Sequence, residues 1–178
     1  MKKKNLFFFG IVVLCAGCFG ACHHQPIIIP DFNTSTEQYI FAKNLKDQSL
    51  LQSPQQEKKA DRTDAIILAY NKVAERFPED LRVTPLAWGE VADIYFRKGD
   101  YKESLRLHEI VLRKYPDQDD VVCKSLFGAA RCYDHLKNYE KALSYYKQCF
   151  ERFENDKRPL LAYLGKQARQ YYSRVRVR

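Results

Sequence analysis

The sequence predicts an all-α fold built from helix-turn-helix units that repeat and stack. Three observations carry that prediction. Between Trp88 and Pro116, apolar residues recur at spacings of three and four on both sides of Lys98-Gly99-Asp100, the period of two amphipathic helices joined by a tight turn. The same pattern returns every 38 residues (116 − 78 and 154 − 116), aligning Arg76-Phe77-Pro78 with Lys114-Tyr115-Pro116 and Arg152-Phe153-Glu154. At that period, small residues recur at Ala92, Ala130 and Ala168, where helices must approach closely, and aromatics recur at Tyr95, Tyr133 and Tyr171, where a gap must be filled. A fixed period of this kind marks units that bury their apolar faces only by stacking on one another.

In chain order, Lys2-Lys3-Lys4 and the apolar run Leu6–Gly17 come first. The run is too short for a membrane span of about 20 residues and reads as a secretory signal. Cys15-Ala16-Gly17-Cys18 follows and resembles a bacterial lipobox, with small residues ahead of a cysteine whose thiol becomes lipidated. Cys18 is the expected anchor, Cys22 the second candidate, and plain cleavage after Ala21 the third. The expected division is a signal peptide over 1–17, a flexible tether over 18–35 and a repeat domain over 36–178. Pro26 and Pro30 leave the tether without helical period, and fully extended it reaches about 60 Å. His23-His24 has no companion cluster of ligands, so no metal site is expected.

Thr36–Leu51 reads as a helix capped by Ser35 or Thr36, whose hydroxyls can accept from free backbone N–H groups. A polar loop is expected over 52–61, then a helix over Arg62–Phe77 that completes a first, degenerate pair. Asp80–Arg97 with Asp100–Tyr115, and Gln118–Leu136 with Asn138–Phe153, form two regular pairs. Pro159 suits the first turn of a last helix running from Leu160 to about Arg174, because its missing N–H is unpaired there anyway. Having no partner of its own, this helix caps the stack.

The formal charge of +8 falls to about +5 without Lys2–Lys4. A secreted chain does not routinely meet nucleic acid, so no nucleic-acid partner is expected. Anionic headgroups or an acidic protein fit the balance better, as do charges alternating along solvated helix faces. Of the six cysteines, Cys123, Cys132 and Cys149 fall in the repeats. Cys149 takes the place of Val73 and Val111, which reads as core packing. Cys132 is expected opposite it, on the preceding helix of the same pair, where a disulfide is conceivable but needs close Cα atoms; core packing is preferred over that bond. There is no nucleophile motif, glycine-rich phosphate loop or HExxH pattern; no catalytic residue, cofactor or small-molecule substrate is expected.

Trp88, Ala92, Tyr95, Gly99, Tyr101 and Pro116, followed by Ala130, Tyr133, Tyr139, Ala142 and Tyr146, resemble the tetratricopeptide repeat. The longer period and the R-[FY]-P ending are similar to repeats of bacterial envelope lipoproteins of the BamD and YbgF/CpoB type. The resemblance implies a short right-handed superhelix whose first helices line a concave groove. It places Asp93, Phe96 and Arg97 there from one helix, Lys124, Phe127, Arg131, Asp134 and His135 from the next, and Arg169 and Tyr172 from the cap. Aromatics mixed with arginine suit a protein interface. Arg131 and Arg169, one period apart, are expected on neighbouring helices, each taking a carboxylate of an acidic segment. The carboxylate-clamp version of the repeat uses lysine and asparagine where this chain has Gly89, Asp93, Phe127, Arg131 and Gly165, so that mode is not expected. Together these readings imply an envelope lipoprotein, tethered to the membrane by Cys18, whose array holds another envelope protein during outer-membrane assembly or envelope maintenance. Phe19 stands where an inner-membrane retention aspartate would be, which points to the outer membrane, facing the periplasm. The alternative is a structural or homo-oligomerising repeat with no separate client.

Overall fold

The computed structural model describes residues 27–51 and 56–177. The expected signal segment, Cys18, Cys22, His23-His24 and the start of the expected tether lie outside the described residues, as do positions 52–55 of the expected loop. Among the described residues there are seven helices and no strand: α1 (Ser35–Leu51), α2 (Gln56–Arg76), α3 (Thr84–Lys98), α4 (Tyr101–Lys114), α5 (Asp119–His135), α6 (Tyr139–Phe153) and α7 (Pro159–Arg176). Each helix packs on the next, and α3, α5 and α7 also touch in a row. This is the stack of helical pairs that the period predicts, with α7 closing it against α5 and α6.

The repeat positions form the core. Ala92, Ala130 and Ala168 are fully buried, as are Val73, Val111 and Cys149. Burying a side chain the size of valine stabilises by about 1.5–3 kcal/mol, so these columns hold neighbouring pairs together. Turn chemistry sets the joints. Gly99 has φ +82°, a left-handed conformation that glycine adopts without steric cost; its N–H donates to the Phe96 carbonyl, and the Asp100 N–H donates to the Tyr95 carbonyl. Asp100 and Asn138 then cap α4 and α6 by accepting from the backbone N–H of Glu103 and Lys141. One period after Gly99, Lys137 occupies the same left-handed position, with φ 61°.

Several boundaries differ from expectation. Helix α2 begins at Gln56 rather than Arg62; Gln, Glu, Lys and Ala dominate 56–60, and these are good helix formers even without an apolar period. Helix α3 begins at Thr84 rather than Asp80, with Pro85 in its first turn. Asp80 instead holds a turn, its carboxylate accepting from the N–H groups of Arg82 and Val83 at 2.8 Å each. The first turn of α1 is capped by Thr34, one residue ahead of the expected caps: its hydroxyl oxygen accepts from the Glu37 N–H at 3.2 Å. Residues 27–34, within the stretch read as tether, carry no helix but lie against the array. Phe32 packs on Phe41 at 5.6 Å, and Lys72 pairs with Asp31 at 2.8 Å.

Cys123, Cys132 and Cys149 are free and buried. Cys132 does not face Cys149. Its sulfur lies 3.3 Å from the Ser104 hydroxyl on α4, whereas the Cys149 thiol points to the Cys123 carbonyl at 3.7 Å. The hairpin turns near Lys137, so a residue twelve positions after the turn meets α5 near its start, while Cys132 lies only five before it.

Candidate partner-binding groove

The face of α3 opposite its buried stripe carries Asp93, Phe96 and Arg97; that of α5 carries Lys124, Phe127, Arg131 and His135. Helical period alone places each set on one side, and contact between α3 and α5 brings the sets together. Arg131 is the centre. Its guanidinium lies 4.0 Å above the Phe96 ring and 5.8 Å from Phe127, within the range of a cation–π contact. His135 stacks on Tyr101 at 4.3 Å and meets Phe96 edge-on at 5.2 Å. Arg97, Lys124 and Arg131 have no ion-pair partner among the described residues.

Asp93 reaches solvent at the groove mouth while protein surrounds its other sides. That desolvation raises its pKa, Glu90 adds to the rise, and Arg97, Arg131 and Lys124 pull it back. The groove therefore gathers three open cations around one carboxylate whose charge is disfavoured. Glu90 itself is neutralised by Lys46 from α1 at 2.6 Å. Asp134 is half-buried and close enough to raise the pKa of Tyr146.

Arg169 and Tyr172 meet other partners. Arg169 lies 4.2 Å over the Phe150 ring and pairs with Glu154 through two bonds, and Tyr172 meets Phe150 edge-on at 5.4 Å. Gly165 explains the turn of α7: a Cβ there would lie 2.4 Å from the Glu154 nitrogen. With no side chain in the way, α7 settles on the end of α6, and Arg169, one helical turn on, reaches Glu154. The structure thus joins the α3 and α5 residues into one site and gives Arg131 and Arg169 separate surroundings.

Sequence reasoning missed Tyr101, Glu90 and Lys46. Glu90 shares the face of Asp93 three residues on and was readable from the period; Lys46 required the packing of α1. Under the groove, the period marks a core column, but not the state of its polar atoms. Tyr70, His108 and Tyr146 share one repeat position, and the two hydroxyls and both His108 nitrogens are buried with no hydrogen-bond partner among the described residues. The His108 ring occupies the side-chain space of Gly128, where a Cβ would lie 2.2 Å from Nε2. Burial, with Arg131 adding to it, pulls His108 down to about 4, so it is neutral beneath the arginine. No group of three or more metal-ligating side chains occurs among the described residues, and no helix there is long and apolar enough to cross a membrane.

Residues 83–155, from the lead into α3 to the end of α6, match the family described as tetratricopeptide repeat. The helical pairs α3–α4 and α5–α6 in that stretch are thus of the tetratricopeptide-like kind, an architecture of stacked repeats that suits protein–protein interaction. The comparison with curated proteins returns no match.

Proposed function

We propose that this chain is a lipid-anchored scaffold of the bacterial envelope whose α3–α5 groove binds an acidic segment of another envelope protein. The observation that carries the proposal is the stacked Arg131. Held over Phe96 with Arg97 and Lys124 nearby, and with no ion pair to a carboxylate among the described residues, it can form a bidentate bond to a partner's Asp or Glu. Phe96 and Phe127 supply the apolar contact that charge alone lacks. The Lys2–Lys4 and Leu6–Gly17 run, followed by Cys18, supports an anchor at the membrane surface, and Phe19 supports the outer membrane. Its role in this reading is to hold a partner during outer-membrane assembly or envelope maintenance.

A cross-linked pull-down from the native envelope tests the groove. Arg131→Glu reverses the central charge, so partner recovery should fall while helix content stays unchanged; losing the contact with Phe96 and the pull on Asp93 lowers the melt modestly. Added salt should weaken the wild-type complex. Recovery at the wild-type level by a normally folded Arg131→Glu protein overturns the reading. Self-association is the second reading, favoured by Leu160 and Tyr163, which are 52% and 58% exposed on α7; a mass by light scattering that doubles with concentration supports it.

A further inference from the structure

We infer that a second site, on the face of α3 turned away from the groove, takes a lysine or arginine side chain presented by a protein partner. The site is a cleft of about 200 Å³ between α2, α3 and α4, lined by Ala74, Glu75, Trp88, Tyr95, Glu103 and Arg106 among others. Trp88 and Tyr95 lie on the side of α3 opposite Asp93 and Arg97, as a period of 3.6 requires. This surface is therefore separate from the groove, and its failure would leave the reading of Arg131 untouched.

One small residue opens it. Positions 74, 112 and 150 are repeat equivalents (112 − 74 and 150 − 112 are both 38). Leu112 and Phe150 pack into the neighbouring core, whereas Ala74 leaves that volume empty. The next pair shows what the place holds when it is filled. There the Lys141 ammonium lies 5.2 Å over the Tyr133 ring, and the Tyr133 hydroxyl donates to Glu109 at 2.7 Å. Tyr95 is the equivalent of Tyr133, but the position of Lys141 is occupied by Glu103. The first pair thus keeps the aromatic wall, has Asn71 in the place of Glu109, and carries the carboxylate of Glu103 where Lys141 puts its cation.

The two cations nearest the cleft among the described residues are already engaged. Lys98 comes only within 6.0 Å of the Tyr95 ring and is held by Asp64 at 3.0 Å. Arg106 is engaged by Glu103 through two bonds of 2.8 and 2.5 Å. Glu75 has no ion-pair partner among the described residues. An aromatic wall beside an unpaired carboxylate, over an apolar floor of Val91 and Leu107, matches a cation on an aliphatic stem. An acidic occupant would be repelled, and a plain apolar one would bury surface without pairing Glu75.

Trp88 is the only tryptophan in the chain, so its emission reports on the cleft directly. N-acetyl-arginine amide and N-acetyl-lysine amide, titrated at low salt, should change that emission saturably with a Kd in the millimolar range. Ala74→Leu installs the neighbouring repeat's side chain, so it should keep or raise the melting temperature while weakening binding by about tenfold or more. Glu75→Lys, a surface change, should weaken it comparably. Four results overturn the proposal: no saturable change, an equal response to uncharged N-acetyl-norleucine amide, undiminished binding by folded Ala74→Leu, or a Trp88 change that follows protein concentration alone. The second would make the cleft simply apolar, and the last would assign it to a second copy of the chain.

Discussion

His108 should make the stability of this protein depend on pH in a window where exposed carboxylates contribute little. Its ring is 3% exposed, lies where a side chain at Gly128 would be, and has neither nitrogen bonded. Desolvation, and then the charge of Arg131, hold its pKa at about 4, against about 6.5 in the unfolded chain. The folded value is the lower one, so as pH falls from 6.5 towards 4 the unfolded state binds a proton that the folded state refuses. The contribution is complete above about pH 6.5 and is lost through that window. Between pH 7 and 5 the loss comes to about 2 kcal/mol, a large share of a typical small-domain stability. Urea denaturation of the wild type and of His108→Leu at several pH values gives the difference curve. Asp31, Asp80, Asp119, Glu154 and Asp156 have lowered pKa values, so they lose stability only at more acidic pH. Asp93, whose pKa is raised, acts with the opposite sign. Both proteins carry these groups, so they cancel in the difference. Leucine also removes two unsatisfied nitrogens, and at pH 7 it should cost little. A difference curve flat from pH 7 to 5 would refute the argument.

Two further predictions concern the turn and the anchor. Lys137 holds a left-handed backbone with φ 61° where the previous repeat uses Gly99; Lys137→Gly should therefore stabilise by about 1 kcal/mol, read as a higher melting temperature. An unchanged or lower melt would mean that the lysine fits this turn without strain. At the N-terminus, Cys18→Ser should abolish fatty-acid labelling and release the protein from membranes, since a stable anchor needs more than one acyl chain. Labelling that survives Cys18→Ser but not Cys22→Ser would move the anchor.

The helical pairs were legible because periodicity is local: each unit buries the same face, so Ala92, Ala130 and Ala168 announce their packing from spacing alone. Asp100 and Asn138 mark helix starts for an equally local reason, since a cap reaches only three residues along its own chain. That Asp93, Phe96 and Arg97 share a side with Lys124, Phe127 and Arg131 was readable too, since they fall between buried positions on successive first helices. What spacing could not give was distance between helices. Arg131 and Arg169 are equivalents in sequence, yet α7 settles through Gly165 onto the end of α6, where Arg169 finds Glu154. Cys132 and Cys149 share a hairpin but sit at unequal distances from its turn, so only the antiparallel pairing showed that they face different neighbours. His108 and Gly128 occupy one space because α4 and α5 pack there, and Ala74 opens a cleft only because Trp88 and Tyr95 stand around it. A repeating sequence determines which faces meet. The voids, unpaired charges and crowded contacts that give those faces their chemistry arise from side chains far apart in the chain, and tertiary packing alone decided them.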